Sequence, residues 1–137
     1  MVGLMYRLIE NINTLFFISL GAVLGAYLRI QISCFFESLF SRKHLGTLLV
    51  NHLSTFLLSF NLVLNSKTNV FNQLESISLA INIGFLGSLS TFSTFLIELL
   101  DSYLKKKWYQ LFSIALFSII GGILSAYFGY KLAHVAI

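Results

Sequence analysis

Residues 84–95 read Gly-Phe-Leu-Gly-Ser-Leu-Ser-Thr-Phe-Ser-Thr-Phe, and Glu98 follows three positions later. Two glycines and five hydroxyl side chains fall within these twelve positions, in the middle of a long apolar segment. In hydrocarbon every backbone N–H and C=O needs a partner, so such an interruption persists only where it is buried in protein or lines a polar cavity. A helix broken there exposes carbonyls at the end of its first half and N–H groups at the start of its second. Carbonyls suit a small cation, whereas the N-terminal dipole and hydroxyl donors suit an anion. Residues 87–94 therefore offer contacts to an ion of either sign, or to one of each. Phe92 and Phe95, three apart on one helical face, add phenyl edges, which are electropositive and can meet an anion without a formal positive charge nearby. In a chain with fourteen Phe, packing is the ordinary use of such a pair. Back-bonding of Ser and Thr to their own helix is likewise the ordinary use of the hydroxyls.

The elements that must position this stretch are membrane helices. The chain has 137 residues, of which 57% are hydrophobic and 10% charged, with no Pro. A span needs about 20 mostly apolar residues. Four such segments fit, at residues 14–32, 45–64, 74–104 and 108–133, and short polar connections use up the rest. The expected architecture is a single all-α domain of four transmembrane helices covering residues 1–137, the third broken near 87–93. At about thirty residues the third span is long for one straight helix, and a break accommodates that length. The first apolar run is of span length and has no small-residue cleavage pattern, so it reads as a span rather than a signal peptide. Residues 1–13 read as an interfacial lead-in. Residues 33–44 place Phe35, Phe36, Leu39 and Phe40 opposite Glu37, Arg42 and Lys43, the pattern of a separate amphipathic interfacial helix.

The first span contains Gly21-Ala-Val-Leu-Gly25, a spacing that sets both glycines on one face where another backbone can approach closely. Arg29 at its end either snorkels to the interface or bonds to carbonyls of a connection. In the second span Asn51 lies at a depth where its carboxamide needs a partner, commonly on a neighbouring helix. His52 falls about 100° further round the helix, so it points elsewhere and reads as structural. The fourth span opens on Trp108 and Tyr109, where an aromatic belt belongs. Its Gly121, Gly122, Ser125, Ala126 and Gly129 form a smooth packing face, and Ser118 is the polar residue nearest its middle.

The single cysteine, Cys34, excludes an internal disulfide and any Cys-based metal cluster. The formal charge of +4 raises nucleic acid as a partner, but the basic residues are scattered over connections and no aromatic-basic module accompanies them. They bear on orientation instead. Arg7, Lys67 and Lys131 lie on the side of the termini, against Arg29, Arg42, Lys43 and Lys105 to Lys107 on the other, three against six. The positive-inside rule makes the second side cytoplasmic. Half of those six charges are one lysine cluster, a bias modest enough to leave insertion in both directions open.

The residues 84–95 with Glu98, together with Gly46-Thr-Leu-Leu-Val-Asn51 and the stretch from Gly21 to Arg29, resemble the Fluc/CrcB fluoride channels across all four spans. The third-span motif is highly specific in combination with the second-span Asn. The resemblance implies an antiparallel, dual-topology dimer of four-helix subunits with two parallel fluoride pores, exporting fluoride passively across the plasma membrane. It implies a structural sodium ion at the dimer centre, held by the backbone carbonyls of Gly87 and Ser90 from both subunits. By the same resemblance Phe92 and Phe95 line the pore, Asn51 belongs to the anion path, Ser93 and Thr94 supply hydroxyls, Glu98 is the acid that closes the motif, and Ser118 matches a fourth-span serine. Three positions depart from the pattern. Ser90 stands for the usual Thr, Ser54 for a Gly, and Ile114 for a Tyr. Some members pair two homologous subunits of fixed, opposite orientation, so the expected partner is either a second copy or such a homologue.

Three other readings make different demands on the residues. A proton-coupled small multidrug exporter wants a carboxylate deep in the first span, and residues 14–28 hold none. A non-transporting accessory subunit would tolerate Phe92→Ile and Asn51→Asp. For an enzyme, Asn51, His52 and Glu98 make no familiar nucleophile or metal spacing.

Overall fold

The computed structural model describes residues 2–40, 43–68 and 75–136. Over them every regular element is helical: α1 (Val2–Phe40), α2 (Lys43–Thr68), α3 (Glu75–Leu79), a π-helical segment (Ala80–Leu86), α4 (Gly87–Leu89), α5 (Phe92–Leu104) and α6 (Trp108–Val135). Four stretches are long and apolar enough to cross a membrane, Asn11–Leu39, His44–Lys67, Ser76–Leu104 and Trp108–Val135. The protein is a multi-pass integral membrane protein whose third span is bent.

Two boundaries differ from the sequence expectation. The first span does not stop at residue 32: α1 continues unbroken through residues 33–40, so no separate interfacial helix forms there, and it also includes the expected lead-in from Val2. A turn needs residues that leave the helical region, and between Arg29 and Phe40 there is neither Gly nor Pro to favour one. Its 39 residues span about 58 Å at 1.5 Å each, well beyond a hydrocarbon core of about 30 Å. The polar connection expected at residues 65–72 lies partly outside the described residues, as do Gln73 and Arg42, while α2 itself runs on to Thr68.

Helix α1 packs along the π-helical segment and α4, and α2 packs along α6. Small residues make both seams. A Cβ on Gly21 would overlap the Ala80 carbonyl, one on Gly25 the Phe85 carbonyl and the Ser88 hydroxyl, and one on Gly84 the Ile18 carbonyl. The two glycines of the first span thus meet the first half of the broken span backbone to backbone, as small-residue motifs do in membranes. On the other seam, Gly129 lies against the Phe56 carbonyl and the Ser59 hydroxyl donates to Ala126 O at 2.8 Å. Gly122 does not share this face, because nothing among the described residues lies within 4 Å of where its Cβ would be.

Polar side chains pin the near end of the third span. Thr14 and Ser76 bond at 2.7 Å, joining α1 to α3, and Asn82 Nδ2 donates to Ser78 Oγ at 3.3 Å. At its far end the chain reverses through Lys106, whose φ of 54° lies in the left-handed region. The Lys105, Lys106 and Lys107 N–H groups donate to the Asp101, Tyr103 and Ser102 carbonyls, which closes α5 and starts α6. Trp108 and Tyr109 are exposed at this end, with Tyr103 edge-on to Trp108.

Candidate functional site at the helix break

The third span breaks at two residues. Ser90 (ψ 154°) and Thr91 (φ −146°, ψ 122°) are extended, between the end of α4 and the start of α5. The local sequence favours a break at that point. Thr91 caps α5, its Oγ1 accepting the Thr94 N–H at 3.3 Å, and Thr is among the preferred N-caps. The Thr91 hydroxyl donates to Thr94 Oγ1 at 3.1 Å and lies 3.4 Å from Ser93 Oγ. On the other side, the Ser90 hydroxyl donates to Gly87 O at 3.2 Å and the Ser90 N–H to Leu86 O at 3.2 Å.

Two other helices reach this point. From α2, Asn51 Nδ2 donates to Thr91 O at 3.0 Å while Asn51 Oδ1 accepts the Thr91 N–H at 2.7 Å. From α1, Arg29 Nη1 lies 3.4 Å from Ser90 O, a long contact that takes the carbonyl-bonding course of the two open to it. Gly87 is exposed and Ser90 half-buried. On α5, Phe92 is 70% exposed, and its ring lies 6.1 Å from that of the half-buried Phe95 at a 35° tilt.

A groove of about 1540 Å³ runs between α2, α5 and α6, with His52, Glu98, Asp101, Lys107 and Ile114 in its wall. Thr47 donates to Glu98 Oε1 at 2.5 Å, and Glu98 Oε2 is buried without a partner among the described residues. Ser118 is half-buried on α6, and its hydroxyl makes no hydrogen bond among the described residues, neither to its own helix nor to the break. Apart from Ser118, which joins neither, the expected residues fall into two groups. Arg29, Asn51, Gly87, Ser90, Phe92, Ser93, Thr94 and Phe95 gather at the break, whereas Glu98 lies further along α5 in the groove.

His52 points away from Asn51, toward α6. A Cβ on Gly121 would stand 2.5 Å from its Cε1 and 2.6 Å from its Nε2. Overfilling a packed contact costs about 1–3 kcal/mol. Gly121→Ala is therefore expected to lower the thermal unfolding temperature, and adding His52→Ala to recover most of the loss. A double variant no more stable than Gly121→Ala would show that His52 does not fill this space.

Two residues at the site escape a reading of types and spacing. Thr91 is both cap and bonding partner of Asn51, and its signal is the Thr three residues ahead of Thr94. Thr47 holds Glu98, and its only signal is a position one helical turn before Asn51.

The family described as CrcB-like protein, Camphor Resistance (CrcB), matches residues 16–130. This chain belongs to the CrcB family. It is 38% identical over 117 residues to the fluoride-specific ion channel FluC 1 of Prochlorococcus marinus strain MIT 9313, covering 85% of this chain and 89% of that one. It is 34% identical over 122 residues to FluC 2 of Prochlorococcus marinus strain SARG, covering 88% and 92%. To FluC of Haemophilus influenzae strain PittGG it is 36% identical over 113 residues, covering 80% and 84%. Within the CrcB match lie the break and each residue gathered at it. Two of the three positions that the resemblance marks as departures are internal: the Ser54 hydroxyl is buried without a partner among the described residues, and Ile114 is buried in the groove wall.

Proposed function

We propose that this chain forms a fluoride-selective channel that lets fluoride leave the cell passively across the plasma membrane. The observation that carries this reading is the break at Ser90 and Thr91, flanked by Phe92 and Phe95, in a CrcB chain whose relatives are named fluoride-specific ion channels. Fluoride is small and strongly hydrated. A pore for it must replace water with donors and polarised edges, yet bind weakly enough to release the ion. The Ser93 and Thr94 hydroxyls, the Ser118 hydroxyl and the phenyl edges are contacts of that kind. Asn51 contributes the amide hydrogen that Thr91 does not use. Glu98, held by Thr47 in the groove wall, stands beyond the phenylalanines on the same helix.

The site is incomplete in one chain, since Phe92 and Gly87 are exposed on it. In the proposed assembly a second copy, or a homologous subunit, lies antiparallel against this face. The numbered names FluC 1 and FluC 2 among the Prochlorococcus relatives favour paired subunits as one form of it. The Gly87 and Ser90 carbonyls suit a sodium ion shared by the two breaks. Each carbonyl has two lone pairs; among the described residues Gly87 O accepts one hydroxyl, and Ser90 O only the long Arg29 contact. Bound there, the ion supplies positive charge that holds carbonyls of two chains together. Purified protein in liposomes, alone and with any paired subunit, is expected to release trapped fluoride much faster than chloride. Liposomes that retain fluoride in both arrangements would overturn the reading.

A further inference from the structure

The break leaves the Thr91 backbone extended, so its N–H has no acceptor in α4, while its C=O, at the N-cap of α5, has a second lone pair to offer. Both find the same side chain. The Asn51 carboxamide accepts the Thr91 N–H at 2.7 Å and donates to the Thr91 carbonyl at 3.0 Å, a cyclic pair between one planar amide and one extended residue. A carboxamide carries a donor and an acceptor on one edge, which neither a carboxylate nor a hydroxyl reproduces. The pair uses one of two Nδ2 hydrogens and one of two Oδ1 lone pairs.

The consequence lies one atom further along the chain. The Thr91 N–H and the Ser90 C=O belong to the same peptide group, which is planar and trans, so the two bonds point in opposite directions within one rigid unit. Holding the N–H holds the carbonyl. Neither neighbour of this peptide is helical, and Asn51 is the side chain that bonds to its N–H. Arg29 touches the same unit from the carbonyl side, at 3.4 Å.

We infer that Asn51 is a positioning residue for the cation: by gripping the Thr91 N–H it aims the Ser90 carbonyl away from α2, at the face where the sodium ion is shared. The inference rests on the cation reading given above. One side chain then serves both ions, the fluoride through its spare amide hydrogen and the cation through the peptide it anchors. Without the carboxamide the Ser90–Thr91 peptide is free to rotate and the carbonyl loses its fixed direction. Coupling between two bound groups is reciprocal, so the cation must in turn tighten the Asn51 clamp.

The test follows thermal unfolding of the purified full-length protein as sodium is titrated against N-methylglucamine, for the wild type, Asn51→Ala and Phe92→Ile. Losing a hydrogen bond that supports a charged site should raise the sodium concentration at half-maximal stabilisation about tenfold in Asn51→Ala. Phe92→Ile, which touches only the anion path, should keep the wild-type midpoint although its flux falls about fivefold. Should Asn51→Ala fail to fold, the wild type alone suffices. Its Thr91 amide should exchange with deuterium about tenfold more slowly in sodium than in N-methylglucamine, by the same coupling. A wild-type midpoint in Asn51→Ala, or equal exchange at Thr91 in both salts, overturns the inference and leaves Asn51 as a pore residue only. A wild type whose stability ignores sodium overturns the cation reading itself.

Discussion

Replacing Phe92 and Phe95 together by isoleucine is expected to reduce fluoride flux by roughly thirtyfold or more while the protein remains folded. Isoleucine keeps the apolar bulk and removes the ring, so the change isolates the electropositive edge. An aromatic edge contact is worth about 1 kcal/mol, and losing two of them removes about 2 kcal/mol, roughly thirtyfold in rate. Little stability goes with the Phe92 ring in one chain, because that side chain is 70% exposed there. Fluoride efflux from liposomes measures the effect, and size-exclusion chromatography of the same sample checks the fold. Flux unchanged in a folded double variant would mean that the pair only packs, and would favour the accessory-subunit reading.

Gly25→Val is the second large effect, and it falls on stability. A Cβ at Gly25 would already overlap the Phe85 carbonyl and the Ser88 hydroxyl, and one of those atoms is backbone in a rigid helical segment. The helices must then separate. Overpacking of this kind costs about 3 kcal/mol at the upper end of its usual range, on the order of 10 °C in unfolding temperature for a chain of this size. Flux should fall with it, because α1 carries Arg29 to the break and a displaced α1 carries it away. A Gly25→Val protein that melts with the wild type would show that the two backbones do not meet there.

The two variants differ in what they perturb. The phenylalanines stand at a face that one chain leaves open, so their loss is read in transport. Gly25 stands inside the chain's own seam, so its loss is read first in folding. A third-span residue such as Ser90 belongs to both descriptions, which is why sodium-dependent stability discriminates better than flux alone in the test of Asn51.

Much of this architecture follows from sequence. Span number and approximate place follow from runs of apolar residues of membrane length. The break follows from Gly87, Ser90 and Thr91, because residues that cap and bond locally compete with a continuous helix. Close packing at Gly21 and Gly25 follows from their spacing, and the opposite directions of Asn51 and His52 from the 100° step between neighbours. These are local properties, set by helical period and by residue chemistry within a few positions.

What local pattern did not determine is the partner each polar group takes. Asn51 could have bonded to any neighbouring helix, and the fold brings it to both backbone groups of Thr91. Arg29 could have snorkelled, and it reaches Ser90. Thr47 meets Glu98, and His52 fills the notch at Gly121. Gly121 and Gly122 are neighbours in sequence, yet only the first faces α2. The unbroken course of α1 and the π-helical turns of residues 80–86 were likewise invisible in composition. The physical reason is common to all of them: a partner is chosen by the register and rotation of one helix against another. Those are decided by how the glycine seams close, across sequence separations that no local period spans.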